Sequence, residues 1–285
     1  MTKKASAQQI SFITGKGGVG KSMISYAYAL KKAKAGEKVL LIEIGETSFF
    51  DRMLGSKNNK ITNEFNNLST TIYSGESCLR EYILHYVKIE KVTDLFFDNK
   101  VMRALIKAAP ALKELALMGK FTSGVRNIGY PMEYDRVVID GYATGHFLAL
   151  MRAPKGMYEA IKFGPMGEQC LSIQKVLSDP NHCEYKIVTL PEDLPVTEAL
   201  EMDQTLQQEF QVEADIICNK VLPTDFVEAL NKVPDKNQFI ENYKLSSEEQ
   251  QKSIQVLKQK KQTTLVPYIY ETDPAILLKS LSEYV

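Results

Sequence analysis

The stretch Ile10-Ser-Phe-Ile-Thr-Gly-Lys-Gly-Gly-Val-Gly-Lys-Ser-Met-Ile-Ser-Tyr-Ala-Tyr-Ala-Leu30 decides the fold. Ile10–Thr14 is a short apolar run that reads as a buried strand, and Met23–Leu30 reads as the helix after it. Between them, Gly15 to Ser22 fits the spacing G-x-x-x-x-G-K-S in the strand–turn–helix setting that this motif requires. Glycines there let successive backbone N–H groups turn inward and approach an anion closely. The helix start adds unpaired donors and a positive dipole end. The bland alternative is a Gly-rich turn without a ligand. Strand, loop, Lys-Ser pair and helix all standing in order favour the phosphate reading.

Working outward, further apolar runs read as strands at Val39–Ile44, Arg136–Asp140, Tyr185–Leu190, Asp215–Asn219 and Thr264–Val266. Their apolar residues are mostly continuous rather than alternating, as in a parallel sheet covered on both faces. Helical patterns separate most of them. The expected class is α/β: a doubly wound, mostly parallel sheet of the P-loop NTPase kind, with a helical insertion between the second strand and the strand ending at Asp140. We expect a single domain over residues 1–285, with that insertion at roughly 56–130. Its helical spacing is seen in Leu79, Tyr82, Ile83 and Tyr86, in Val101, Met102, Leu105 and Ile106, and in Leu112, Leu115 and Ala116. Either these stripes pack on the core or they offer a substrate surface. Glu241–Lys260 reads as a long helix with a solvated charged face.

Composition removes several classes. Lys+Arg and Asp+Glu both total 35, so an extended basic surface for nucleic acid is not expected. No apolar run is long enough for a transmembrane helix, and the polar first residues have no apolar signal segment. Cys78, Cys170, Cys183 and Cys218 are scattered without a CxxC pair, which argues against a disulfide framework. The 3 histidines are equally dispersed, so no metal-ligand cluster is visible. A cytoplasmic location is expected.

In Lys-Gly-Gly-Val-Gly-Lys-Ser the early Lys16 narrows the class. At this point the chain resembles the deviant Walker A ATPases: the arsenite-pump ATPase, the tail-anchored-protein targeting ATPase and, more distantly, the MinD and ParA proteins. The resemblance implies ATP or ADP and Mg²⁺ as ligands and a homodimer closed around nucleotide, acting on an unidentified client. Carried over, Gly17, Gly18, Val19, Gly20, Lys21, Ser22 and Met23 bind phosphate, and Lys21 reaches the β- and γ-phosphates. Lys16 acts in trans like an arginine finger, offsetting charge on the transferring phosphoryl group. Ser22 and Asp140 hold the metal. Tyr134-Asp-Arg-Val-Val-Ile-Asp140 with Gly141-Tyr-Ala-Thr-Gly-His146 is similar to the Walker B strand and switch II, keeping Asp140, Thr144, Gly145 and His146. Val188-Thr-Leu-Pro-Glu-Asp-Leu-Pro-Val-Thr-Glu198 is similar to the family's strand, Pro-Glu and Glu-bearing helix start. Asn219, in Ile216-Ile-Cys-Asn-Lys220, stands where the family reads the adenine edge, since an amide offers donor and acceptor together. An Asn that merely ends a strand is the alternative. Pro267, in Leu265-Val-Pro-Tyr268, stands in the loop flanking the base.

Departures qualify the activity. Leu40-Leu-Ile-Glu-Ile-Gly-Glu-Thr-Ser48 aligns so that Gly45 replaces the carboxylate that positions the attacking water. Losing a positioned base costs about 10²- to 10⁴-fold in rate. Glu43 or Glu46 stands near enough to substitute, or both are plain acids. The zinc-bridging CxxC and a cysteine trio for arsenite are missing, and Ile276–Glu283 lacks the positive charge of a membrane-binding helix. Two readings follow: a weak or partner-stimulated ATPase switch, or a nucleotide-binding dimerising module with little hydrolysis.

Overall fold

β-branched and aliphatic residues dominate the strands that carry the site, and burial sorts them into two layers. The computed structural model describes residues 8–55, 66–87, 110–128, 132–232 and 238–285. In chain order these form β1 (Gln9–Gly15), α1 (Lys21–Lys34), β2 (Val39–Ile44), α2 (Phe49–Leu54), β3 (Leu68–Tyr73), α3 (Gly75–Val87), α4 (Pro110–Phe121), α5 (Ser123–Arg126), β4 (Arg136–Asp140), α6 (Thr144–Ile161) and α7 (Gly164–Leu177). Then follow β5 (Cys183–Thr189), α8 (Asp193–Phe210), β6 (Ala214–Val221), α9 (Thr224–Asn231), α10 (Gln238–Lys260), β7 (Thr263–Pro267) and α11 (Pro274–Leu281).

The strands make one 7-stranded sheet in the order β3-β2-β4-β1-β5-β6-β7. Every pair is parallel, with Ile13 beside Asp140 and Gly15 beside Val188. β1 is central. Parallel pairing puts the carboxyl ends of β1, β2, β4 and β5 at one edge, and the order reverses around β1, the place where open α/β sheets bind ligands.

Alternate residues of each strand feed opposite layers. On one face Ile13, Val39, Leu41, Val138, Val188 and Ile217 pack under α1, α2 and α11. Leu278 and Leu281 of α11 are buried there, so this helix packs on the sheet. On the other face Phe12, Leu40, Ile42, Val137, Ile139 and Ile187 pack under α3, α4, α6 and α7. Phe12 stacks on Tyr185 with ring centroids 5.3 Å apart, and Phe121 and Phe147 meet it edge-on. A smaller cluster joins Ile216 and Cys218 to Ile254 and Leu257 of α10.

The sequence reading passes over one strand. β3 lies within the long gap treated as helical, and pairs with β2 at the edge of the sheet. Elsewhere in that gap α3 and α4 are helical as expected, and Leu79, Leu115 and Ala116 go into the core. The stripe of Val101, Met102, Leu105 and Ile106 lies outside the described residues.

Candidate functional site

The loop joining β1 to α1 is shaped by contacts that admit no side chain. At Gly15 φ is 145°, and a Cβ would lie 2.1 Å from Val188 O on the neighbouring strand. At Gly20 φ is 93°, and a Cβ would come within 2.5 Å of Asn219 Nδ2. Gly20 is the N-cap of α1 in left-handed conformation, with Gly18 also left-handed at 86°. The first intrahelical bond is Ile24 N to Gly20 O at 3.1 Å, leaving the N–H groups of Lys21, Ser22 and Met23 without intrahelical acceptors. Gly17 and Gly18 are exposed, whereas Val19 is buried and anchors the loop. Met23 is half-buried and its side chain packs against the layer of α1.

Two tethers hold this loop. Asn219 Nδ2 donates to Val19 O at 2.9 Å, and its Oδ1 accepts from Lys220 N at 2.9 Å. Asn219 is 5% exposed, so its amide acts here as a brace from the end of β6 to the phosphate loop. Lys21 Nζ donates back to Lys16 O at 3.3 Å. Burial lowers the Lys21 pKa, while the nearby Asp140 charge works in the other direction.

Asp140 ends β4 beside both Ile13 and Glu43. Burial pushes its carboxyl up, against hydrogen bonds from Ser22 and Ser25 and the charge of Lys21. The Ser25 hydroxyl lies 3.0 Å from Asp140 Oδ1 and 2.9 Å from Lys21 O. Ser25 was missing from the sequence-derived set. Its place one turn after Ser22, on the same side of α1, was the available signal. Ser22 and Asp140 are hard oxygen donors, and among the described residues no three His, Cys, Asp or Glu side chains converge. That donor set fits Mg²⁺, which is commonly held by one or two carboxylates together with substrate phosphates.

The departures from the family pattern acquire physical reasons. Gly141 N donates to Ile13 O at 2.8 Å, and a Cβ at Gly141 would sit 2.7 Å from that same oxygen. Thr14 Oγ1 then donates to Tyr142 O at 2.8 Å, pinning the segment after β4 to β1. Tyr142 is half-buried, whereas Gly145 and His146 are exposed at the start of α6. Glu43 is buried, and its carboxylate accepts from the Ser48 hydroxyl, from Phe49 N at 2.6 Å and from Phe50 N at 3.3 Å. It caps α2 and is not free to orient a water. Glu46 is exposed. Gly45 N donates to Tyr73 O at 3.0 Å, and the space around its missing side chain is open to 4.0 Å.

Lys16 leaves the loop toward α8, where its Nζ lies 2.7 Å from Glu198 Oε1. Pro267 stands one strand beyond Asn219, opposite Val221, and Tyr268 N donates to Val221 O at 2.7 Å. Tyr268 and Tyr270 pack at 4.7 Å between centroids, both exposed. The structure thus gathers residues 15–22, Asp140 and Asn219 at one place, with Pro267 on the flanking strand.

All four cysteines are free and buried, and burial pushes the thiols of Cys78, Cys183 and Cys218 up to about 12. Among the described residues no helix is long and apolar enough to cross a membrane.

Residues 8–166 match the family model described as anion-transporting ATPase, a span that runs from β1 through Asp140 into α7. The chain is 30% identical over 243 residues to the ATPase BagA of Mycobacterium tuberculosis, covering 77% of this chain and 67% of that protein. It is 26% identical over 233 residues to the arsenical pump-driving ATPase of Acidiphilium multivorum, covering 74% of this chain but 39% of that protein. With the ATPase ASNA1 homolog of Plasmodium chabaudi chabaudi it shares 24% identity over 253 residues, covering 74% and 62% respectively. With the glycine-shaped loop, the acid-ended β4 and the parallel sheet already in place, the match places the chain in the anion-transporting ATPase family.

Proposed function

We propose that this chain binds ATP with Mg²⁺ in the loop of residues 15–22, hydrolyses it slowly, and uses the bound triphosphate to close a homodimer that acts on a client. Membership of an ATPase family supports the ATP-binding and ATPase part of this reading. The observation that carries it is the left-handed Gly20 at the start of α1, with Lys21 and the buried Asp140 beside it. Unpaired amides of Lys21, Ser22 and Met23 face the site where a β-phosphate would lie. Lys21, now folded back on Lys16 O, exchanges that weak contact for the β- and γ-phosphate oxygens. Ser22 and Asp140 are the residues that would hold Mg²⁺, which neutralises charge on the phosphates. Lys16 is read as the residue that reaches the partner's phosphates, Asn219 and Pro267 as the base-side contacts.

The second reading, a nucleotide-binding module with little hydrolysis, is favoured by Gly45 and by the commitment of Glu43 to α2. Arsenite as the anion is disfavoured, because the cysteines are buried and held protonated. The single sheet supports one domain, and free buried thiols fit a reducing cytoplasm. Phosphate release by the purified chain, with Lys21→Ala as the blank, separates the two readings. A rate above the blank that rises faster than protein concentration supports the switch, and equality with the blank at all concentrations leaves only the module.

A further inference from the structure

We infer that Glu198 holds Lys16 within its own subunit, so that the lysine proposed to act on a partner's phosphates is parked until a triphosphate-loaded partner competes for it. This rests on the trans role given to Lys16 above. Several independent features of the fold build the arrangement. Gly15 is fixed against Val188, so Lys16 must emerge between β1 and β5. α8 follows β5 directly, and burial of Val196 and Ala199 sets the face of α8 that it packs inward. Between those two buried residues on α8, Glu198 brings Oε1 to 2.7 Å from Lys16 Nζ.

The pair has the character of a latch rather than a lock. Side-chain exposure is 43% for Lys16 and 33% for Glu198, so on separation water reaches the ammonium and the outer carboxylate oxygen. The carboxylate engages the lysine through one oxygen only, and Glu198 Oε2 is buried without a hydrogen-bond partner. A monodentate, partly exposed ion pair yields to a stronger anion, and a triphosphate presented across an interface is one. A diphosphate offers less charge at that point, so the competition sharpens discrimination between the two nucleotide states. In the isolated subunit the loop meets its own nucleotide with Lys21 alone.

An exposed pair of this kind is worth about 1.5- to 5-fold in an equilibrium constant, and a symmetric dimer opens two of them. Glu198→Gln, which keeps the shape and removes the charge, should therefore lower the dimer Kd by about 2- to 30-fold. Sedimentation velocity of the full chain with Mg²⁺ and a non-hydrolysable ATP analogue reads this directly. Glu198→Asp, too short to reach Lys16, should shift assembly in the same direction and serves if the glutamine variant misfolds. Lys16→Ala should fail to assemble, and Lys16→Ala/Glu198→Gln should behave like Lys16→Ala. A folded Glu198 variant that needs as much protein as the wild type, or more, overturns the latch while leaving the trans lysine standing. Lys16→Ala assembling like the wild type overturns the underlying reading instead. A merely structural role for Glu198 would lower the melting temperature without tightening the dimer.

Discussion

At Gly45 a Cβ would meet nothing nearer than Thr47 O at 4.0 Å, and φ lies outside the left-handed region. Gly45→Asp should therefore fold normally and raise the rate of phosphate release, by up to about 10²-fold if the new carboxylate orients water. A folded, ATP-binding variant with unchanged turnover would count against the alignment at this position. Gly20→Ala is expected to go the other way. Its left-handed φ of 93° and the 2.5 Å approach of Asn219 both oppose a Cβ, so the loop loses its brace and stability falls by about 1–2 kcal/mol. Urea unfolding measures that loss. The loop residues were legible in the sequence because the motif is local: glycine spacing, Lys-Ser and the flanking elements all fall within one stretch. Ser25 was not singled out, and Glu198 was read only as the acid of a helix start without a partner, since each gains its role from a residue 115 or 182 positions away.

Among the elements, α2 shows how the segment after Gly45 is held. Ser48 caps it by accepting from Asp51 N at 3.0 Å, and Glu43 accepts from the two preceding backbone donors, Phe49 N and Phe50 N. Glu43→Ala strips that acceptor and should destabilise by about 2 kcal/mol, with faster amide exchange over Phe49–Leu54. Were Glu43 instead the missing catalytic base, turnover would fall while stability and exchange stayed put. The strands were readable as apolar runs, and β2 and β4 coincide in extent with the reading. β3 escaped because Leu-Ser-Thr-Thr-Ile-Tyr is an edge strand, half-buried and rich in hydroxyls, with no continuous apolar run. Its β-branched Thr70, Thr71 and Ile72 were the signal to weigh.

Across the whole molecule, the two edges of the sheet divide the work. The phosphate loop occupies the carboxyl edge, and an ionic network closes the opposite one. There the Arg136 guanidinium reaches Glu37 at 2.6 Å, Ser11 at 2.9 Å and Glu184 at 2.6 Å. Burial works to raise the Glu184 carboxyl, but Lys186, the Ser11 and Tyr28 hydroxyls and Arg136 outweigh it and hold it below its ordinary value. A depressed carboxylate stabilises the fold above its unfolded pKa, and that contribution is lost as pH falls through its folded value. Melting temperature should accordingly drop below about pH 4.5. Glu184→Gln should cost about 2–3 kcal/mol at neutral pH, because Arg136 is left buried and short of a partner, and should flatten the acid limb. A neutral-pH stability equal to that of the wild type would contradict this network. No sequence pattern announced it, since its members come from β1, β4, β5, α1 and the turn before β2 and meet only when the sheet forms. The fold class was legible because parallel strands declare themselves by composition, whereas such cross-strand partnerships depend on register. The central claim concerns the other edge, and titration calorimetry of the folded chain with ATP and Mg²⁺ tests it most directly. The account predicts saturable binding at one site per chain, weakened about 10- to 100-fold by Lys21→Ala. Folded protein giving no binding heat with ATP, ADP or GTP would contradict it.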